Sequence, residues 1–230
     1  MKFTILFGGP AGTGPNVLTH ILGEALVEHG NHVFYSRDYQ SLIRGGHNFN
    51  VLTFSQEEKI FSNESQLDVI VALDENTEKI HKKDLKKSGI ILKNFSNEVK
   101  GNMYFAGKLF KTFCLDFKLL ETQLQKLSKE RFKENLEEAK NGYDSETKQM
   151  CKVKEFKEDH YFINGSQGIT EGSIKSGLNI YYAYPMTPAT GVLTELAQRA
   201  DAKNISYFAT TKSKKEEDFV GKEKLIVLEL

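Results

Sequence analysis

Apolar and polar residues alternate along the first part of the chain in runs of the lengths typical of strands and helices. The segment "FTILF" (3–7) is short and wholly apolar, which predicts a buried parallel strand. Apolar residues then recur at helical spacing up to Glu28, with Pro15 suited to the first helical position and Gly30 to the stop. "HVFYS" (32–36) reads as the next strand. The start of the chain is therefore predicted to be a strand–turn–helix–strand unit.

The same pattern continues to about residue 140. Strands are predicted at "NFNVLTF" (48–54), "LDVIVAL" (67–73) and "GIILKN" (89–94). Helices are predicted over 75–87 and, as one amphipathic helix, over 118–140. Strands that alternate with helices indicate an α/β layer fold.

A polar, highly charged stretch after residue 142 predicts a linker between two domains. Beyond it a helix, a strand, a second turn and another helix begin a further α/β unit. Only about 70 residues remain for that unit, too few to close a doubly wound sheet. The predicted divisions are a first domain over 1–145, a linker over 146–160, an incomplete second domain over 161–206 and an aperiodic tail over 207–230.

Composition narrows the possible partners and cofactors. Lys plus Arg and Asp plus Glu both number 31, so no global field attracts nucleic acid or an anionic membrane. The two cysteines, Cys114 and Cys151, form no C-x-x-C pair, which argues against a zinc or iron–sulfur site held by this chain alone. No apolar run approaches the ~20 residues of a membrane helix. We expect a cytoplasmic protein without a metal site of its own.

All four prolines lie in two turns, each at the carboxyl end of a predicted strand. Ligands of open α/β sheets bind at that edge. The first turn, "GGPAGTGPN" (8–16), contains Gly9, Gly12 and Gly14 before a helix N-terminus, where backbone N–H groups can approach an anion. Its spacing is neither G-x-G-x-x-G nor a Walker A motif, so the glycines could equally serve only a tight turn. Asp38, after the next strand, is a weaker candidate partner for a ribose.

The stretch "RDYQSLIRGGHN" (37–48) carries two guanidinium groups near a glycine pair. Arg37 and Arg44 could clasp a carboxylate or a phosphate. A structural ion pair of Arg44 across a domain contact is an equal alternative, and His47 is more readily explained as a packed or surface histidine.

The second turn, "YPMTPAT" (184–190), is the sharper signal. Pro185 and Pro188 fix their own φ angles and favour extended geometry at Tyr184 and Thr187. Thr187 is thereby held at a strand end near a helix N-terminus. Its hydroxyl either caps that helix or donates a hydrogen bond to a small anionic substrate.

These motifs resemble a known family. Residues 1–145, through "GGPAGTG", "HVFYSRDYQSLIRGGHN" and "LDVIVAL", resemble the Rossmann-like gamma domain of 2-oxoacid:ferredoxin (or flavodoxin) oxidoreductases. Residues 163–200, through "YPMTPAT", resemble the start of that family's thiamine-diphosphate pyrimidine domain. This order of domains is that of the fused alpha subunit. The resemblance implies an α/β fold with a mostly parallel sheet in the first domain.

The resemblance also implies an activity for the complete enzyme: oxidative decarboxylation of a 2-oxoacid, of the 2-oxoglutarate or pyruvate type, to acyl-coenzyme A with electrons passed to ferredoxin. It implies that Thr187 contacts the substrate carboxylate and that Tyr184 and Pro185 lie at the cofactor. Gly9, Gly12, Gly14 and Arg44 become candidates for coenzyme A or for a domain contact. Thiamine diphosphate, magnesium and an iron–sulfur cluster would come with a partner beta subunit.

The chain departs from the family pattern in two places. Ser166 and Gln167 stand where the family often has Asn and Glu, and Glu216 and Glu217 lack the context of its cofactor-activating glutamate. We therefore expect a truncated or frame-shifted product that diverges near Tyr207 and is inactive alone. The alternatives are a non-catalytic gamma-domain binding or assembly module and a small nucleotide-binding protein.

Overall fold

The structure is a computed structural model that describes residues 2–38, 47–93, 101–150, 161–183, 186–202, 207–209 and 226–229. The chain divides into two compact units, Met1–Phe162 and Ile163–Leu230. Each unit is described by itself. Residues 151–160, where most of the predicted linker falls, lie outside the described part of the chain.

The first unit is built on a five-stranded sheet. Its strands are β1 (Lys2–Gly9), β2 (His32–Asp38), β3 (Asn48–Ser55), β4 (Leu67–Ala72) and β5 (Leu85–Lys93), in the order β2-β3-β1-β4-β5. β4 runs parallel to both β1 and β5, whereas β3 is antiparallel to its neighbours β1 and β2. β3 therefore opposes the other four strands. The predicted α/β fold with a mostly parallel sheet is confirmed, and the reversed strand inside it was not foreseen.

Five α-helices among the described residues accompany this sheet: α1 (Pro15–Glu28), α2 (Glu75–His81), α3 (Asn102–Thr112), α4 (Phe117–Leu127) and α5 (Phe132–Ser145). α1 has the predicted bounds and ends at the predicted glycine. Gly30 has φ 77°, and its N–H donates to Val27 O while Asn31 N–H donates to Leu26 O. This paired bonding is the Schellman ending, which a residue in the left-handed region makes possible.

The long helix predicted over 118–140 is two helices. α4 ends because Ser128 is extended, with φ −160°, and its hydroxyl accepts a bond from Arg131 N–H at the start of α5. A serine side chain that bonds to nearby backbone competes with helical bonding in this way. The apolar periodicity continues across the break and therefore conceals it.

The helix predicted over 75–87 stops at His81. A 3₁₀ turn, Lys82–Asp84, follows, and β5 then starts at Leu85 rather than near residue 89. Lys86 lies within hydrogen-bond distance of both carboxylate oxygens of Asp68, at 2.9 and 2.8 Å, on the neighbouring strand. Pairing with β4 therefore overrides the local helical preference of this segment.

The sheet buries apolar side chains on both faces. Ile5 and Phe7 of β1 belong to the larger core cluster, which also includes residues of α1 and α3, whereas Leu6 belongs to a separate cluster with Ile70 of β4. Successive side chains of a strand point to opposite faces, which accounts for this division. The wholly apolar run in β1 is thus the mark of a strand covered on both sides.

The second unit has three described parallel strands and two described helices. The elements are α6 (Gly165–Lys175), β6 (Ile180–Ala183), α7 (Thr190–Ala202), β7 (Tyr207–Ala209) and β8 (Ile226–Glu229). The strand order is β6-β8-β7. Val192, Leu193 and Leu196 of α7 form its buried core, against which Tyr181 of β6 packs. Apart from β7 and β8, the predicted tail over 207–230 lies outside the described residues.

Candidate functional site

A cleft opens in the first unit where β1 and β2 end and β3 begins. Its volume is about 570 Å³, and it is lined by the glycine turn and the first residues of α1 together with Arg37, Asp38, Asn48, Phe49 and Asn50. This is the carboxyl edge of the parallel strands, at which α/β folds bind ligands. Two other clefts, of about 500 and 360 Å³, include no residue from a strand. The cleft at the strand ends is therefore the candidate site of this unit.

The glycine turn forms one wall of this cleft. Thr13 N–H donates to Pro10 O at 3.2 Å, and Gly12, the third residue of that turn, has φ 89°. A positive φ at this position is the mark of a type II turn and favours glycine. A Cβ built on Gly12 meets no atom within 4 Å, so its backbone faces open space at the cleft.

The other two glycines of the turn are required by close approach. A Cβ on Gly9 would lie 2.7 Å from Thr13 Oγ1 and 2.8 Å from Leu73 Cβ. A Cβ on Gly14, which has φ 91°, would overlap Nδ2 of Asn102 at the start of α3. Of the three sequence candidates, Gly12 and Gly14 line the cleft, and Gly12 alone meets open space there.

Of the other candidates predicted from the sequence, two lie at the cleft and one lies outside the described residues. Arg37 and Asp38 lie at the cleft, which brings a guanidinium and a carboxylate to the edge opposite the N-terminus of α1. Arg44 belongs to residues 39–46, outside the described residues, so its predicted roles stay predictions.

The third wall of the cleft is the asparagine-rich start of β3, which was not predicted as part of a site. Asn50 is buried, and its amide donates to Asn16 Oδ1 at 3.0 Å and to Thr19 Oγ1 at 2.9 Å, both on α1. These bonds tie β3 to the first turns of α1 and so fix the width of the cleft. The signal was the polar "NFN" at the start of an otherwise apolar strand.

His47 pairs with a second histidine. Its Nε2 lies 2.9 Å from Nε2 of His81, the last residue of α2, and both rings contact Phe49. Burial lowers the pKa of His81, His47 acts in the same direction, and Asp84 opposes both. The expectation of a packed histidine is consistent with this environment, but its partner could not be found from the sequence.

In the second unit, Thr187 lies in the turn between β6 and α7. It is exposed, as is its neighbour Met186, whose carbonyl accepts a bond from Ala189 N–H at 2.9 Å. The first bonds of α7 run from Val192 N–H and Leu193 N–H to Ala189 O. Ala189 thus precedes α7 at the N-cap position, and both predicted roles of the Thr187 hydroxyl, a helix cap or a substrate contact, stay predictions. Tyr184 and Pro185 lie outside the described residues.

The first departure from the family pattern, at Ser166 and Gln167, has a structural role, whereas Glu216 and Glu217 lie outside the described residues. Gln167 N–H donates to Asn164 Oδ1 and Gln167 Oε1 accepts from Asn164 N–H, both at 2.9 Å. This reciprocal pair is the capping box of α6. Ser166 lies where a Cβ on Gly191 would overlap its hydroxyl, so the glycine lets α6 and α7 approach.

Among the described residues, no group of three or more His, Cys, Asp or Glu side chains is arranged to hold a metal ion. In the same part of the chain no helix combines the length and apolar character needed to cross a bilayer.

Comparison with known proteins gives a family match in the first unit. Residues 4–101 match the family described as pyruvate ferredoxin/flavodoxin oxidoreductase. A 2-oxoacid:ferredoxin oxidoreductase alpha subunit from a Sulfolobus species is 34% identical over 86 residues, which are 37% of this chain and 13% of that protein. Subunit alpha of 2-oxoacid:ferredoxin oxidoreductase 1 from Sulfurisphaera tokodaii is 33% identical over 86 residues and is covered to 14%. The chain thus spans about one seventh of the length of these relatives.

Solved structures share the fold. A 2-oxoglutarate:ferredoxin oxidoreductase from Magnetococcus marinus, with 2-oxoglutarate, coenzyme A and succinyl-CoA bound, has a TM-score of 0.71 at 21% identity, covering 88% of this chain and 42% of that one. The gamma subunit of a keto/oxoacid ferredoxin oxidoreductase from Geobacter sulfurreducens has a TM-score of 0.52 at 18% identity, covering 63% and 95%. These matches confirm the resemblance drawn from the first glycine turn and the strands beside it. Over residues 4–101 this chain is therefore similar to the pyruvate ferredoxin/flavodoxin oxidoreductase family.

Proposed function

We propose that this chain is a component of a 2-oxoacid:ferredoxin oxidoreductase, in which a gamma-type first unit precedes the start of a pyrimidine-type second unit. The family match of residues 4–101, with 34% identity to an alpha subunit over 86 residues, is the observation that carries the proposal. The assembled enzyme would decarboxylate a 2-oxoacid oxidatively, form acyl-coenzyme A and pass electrons to ferredoxin.

The chain's own contribution in the second unit is Thr187. An exposed hydroxyl in the turn before α7 is suited to bind the carboxylate of a 2-oxoacid, since the helix N-terminus beside it favours negative charge. Thiamine diphosphate, held with magnesium and an iron–sulfur cluster by a beta subunit, supplies the carbanion stabilisation that decarboxylation needs. Thr187 orients the substrate, and Tyr184 and Pro185 are further candidate contacts of the cofactor.

In the first unit, the cleft at the glycine turn is the proposed contact for coenzyme A. Its turn presents backbone near Gly12 and the N-terminus of α1 to a phosphate group, and Arg37 adds a positive charge. Gly9 and Gly14 act by keeping the turn close to its neighbours, and Arg44 is a further candidate contact.

The assembly proposal is tested by co-expressing the chain with the beta subunit from the same organism. Purification on a tag carried by the beta subunit should recover both chains, and the complex should reduce ferredoxin when given a 2-oxoacid and coenzyme A. Recovery of the beta subunit alone, with the chain soluble and folded in the same cells, would refute the assignment.

The role of Thr187 is tested in whichever assembly shows this activity. Thr187→Val should raise KM for the 2-oxoacid and lower kcat/KM about tenfold or more, since a hydrogen bond to a charged group contributes about 1.5–3 kcal/mol. Thr194→Val is the matched control, because the Thr194 hydroxyl donates to Thr190 O within α7. Equal kcat/KM values in the two variants would exclude a substrate contact by Thr187.

A second candidate function is a non-catalytic binding or assembly module formed by the first unit. It is favoured by the match to the Geobacter gamma subunit, which is a separate chain and is covered to 95% by this one. The buried core of the first unit favours it as well. Calorimetric titration of the chain with coenzyme A, without a beta subunit, distinguishes the two proposals. Binding of coenzyme A by a chain that forms no complex with the beta subunit supports the module.

A further inference from the structure

Two histidines from distant parts of the chain meet behind one wall of the cleft. His47 directly precedes β3 and His81 ends α2, and their Nε2 atoms are 2.9 Å apart. His81 is 8% exposed. Phe49 contacts both rings, with centroid distances of 5.5 Å to His47 and 4.7 Å to His81. Because Asn48 and Phe49 line the cleft, the histidine pair joins this wall to α2.

The hydrogen bond between the rings needs one donor and one acceptor, so the two histidines must have different tautomers. Asp84 Oδ2 lies 3.7 Å from His81 Nδ1, and the carboxylate favours a proton on that nitrogen. His81 Nε2 is then the acceptor and His47 Nε2 the donor. This assignment leaves His47 Nδ1 with a lone pair, and that atom is buried without a hydrogen-bond partner among the described residues.

The same assignment limits how many protons the pair can hold. One added proton, on His47 Nδ1, leaves the bond between the rings intact. A second places a hydrogen on both Nε2 atoms, which removes the acceptor and sets two positive charges against each other. The groups that act on His81 are Asp84 and Lys83 in the 3₁₀ turn and His47 at β3. Burial and His47 lower the pKa of His81, so the bond breaks below the ordinary histidine range.

We propose that His47 and His81 form a proton-sensitive clasp that holds the cleft wall formed by Asn48 and Phe49 against α2. At neutral pH the clasp is closed. In acid the doubly charged pair separates, and the end of α2 moves away from this wall, which the neighbouring strands β1 and β2 hold in place. A ligand that binds only when the wall is closed therefore loses affinity as the pH falls. If its binding requires the loss of one proton from the pair, its affinity falls about tenfold for each pH unit below the transition.

Nuclear magnetic resonance of the full chain tests the clasp without any ligand. At neutral pH we expect the Nε2–H tautomer at His47 and the Nδ1–H tautomer at His81. Between pH 8 and pH 4 the backbone amide signals of Asn48 and Phe49 should shift with the same midpoint as the His81 ring. His47→Gln should raise that midpoint, because His47 lowers the pKa of His81.

Three further variants complete the test. The double variant His47→Gln/His81→Gln should abolish the shift of the Asn48 and Phe49 amides, whereas His29→Gln, which removes a histidine elsewhere, should leave it unchanged. Should the double variant fail to fold, Asp84→Asn serves instead and should lower the His81 midpoint, because Asp84 raises the pKa. The clasp is refuted if both rings carry Nε2–H, if the amides ignore the His81 titration, or if the midpoint is unmoved in His47→Gln and in Asp84→Asn.

Discussion

The two glycines with positive φ in the first turn provide a matched pair for separating backbone strain from steric overlap. Gly12 and Gly14 have φ 89° and 91°. An alanine at either position meets the left-handed region, at a cost of about 1 kcal/mol. A Cβ on Gly12 meets open space, whereas one on Gly14 overlaps Asn102 Nδ2 and lies 3.1 Å from its Cγ and 3.2 Å from its Cβ.

We therefore expect Gly12→Ala to lower the free energy of unfolding by about 1 kcal/mol, the backbone cost alone. Gly14→Ala should lower it by roughly 2–4 kcal/mol, because overpacking adds about 1–3 kcal/mol. Asn102→Ala removes the group that the new methyl meets. The double variant Gly14→Ala/Asn102→Ala should thus recover at least about 1 kcal/mol relative to the sum of the single variants.

Urea unfolding followed by far-ultraviolet circular dichroism measures these differences, and an unchanged m-value would show that the unfolding transition is the same in each variant. The steric explanation is refuted if the two alanine variants are equally stable, since the glycines would then differ only in sequence position. It is also refuted if Asn102→Ala and Gly14→Ala are additive, because the overlap would then not be with Asn102.

Three further predictions concern other parts of the chain. Asp68→Asn should lower the free energy of unfolding, measured in urea, by about 2 kcal/mol, because the charge-assisted bonds between the buried carboxylate and Lys86 are lost. Adding Lys86→Met to Asp68→Asn should then lower the free energy of unfolding little further. Because the pKa of His81 is lowered in the folded chain, the unfolded chain binds more protons than the folded chain below pH 6.5, and the free energy of unfolding should fall as the pH drops through that value. The fall should be smaller in His81→Phe. Thermal unfolding at pH 5 and pH 7 measures both. Gln167→Ala should reduce amide-exchange protection in the first turn of α6 by the equivalent of about 1 kcal/mol, and unchanged protection would contradict the capping box with Asn164.

Much of the first turn and its helix was predictable because local residues determine it. Pro15 can begin a helix and Gly30 can end one whatever surrounds them, so the bounds of α1 followed from the sequence. The wholly apolar run of β1 likewise required burial on both faces. The break between α4 and α5 was missed because Ser128 interrupts the backbone bonding without interrupting the apolar period.

The positions of the turns, and the helix N-terminus that follows the glycines, were set by local residues. The groups that face those glycines were set by contacts between distant segments. The reversed strand β3, inserted between β1 and β2, brings Asn48, Phe49 and Asn50 to the cleft and sets His47 against His81, 34 residues away in the chain. Strand order depends on which distant surfaces bury one another best, and that competition leaves no trace in the periodicity of any single segment.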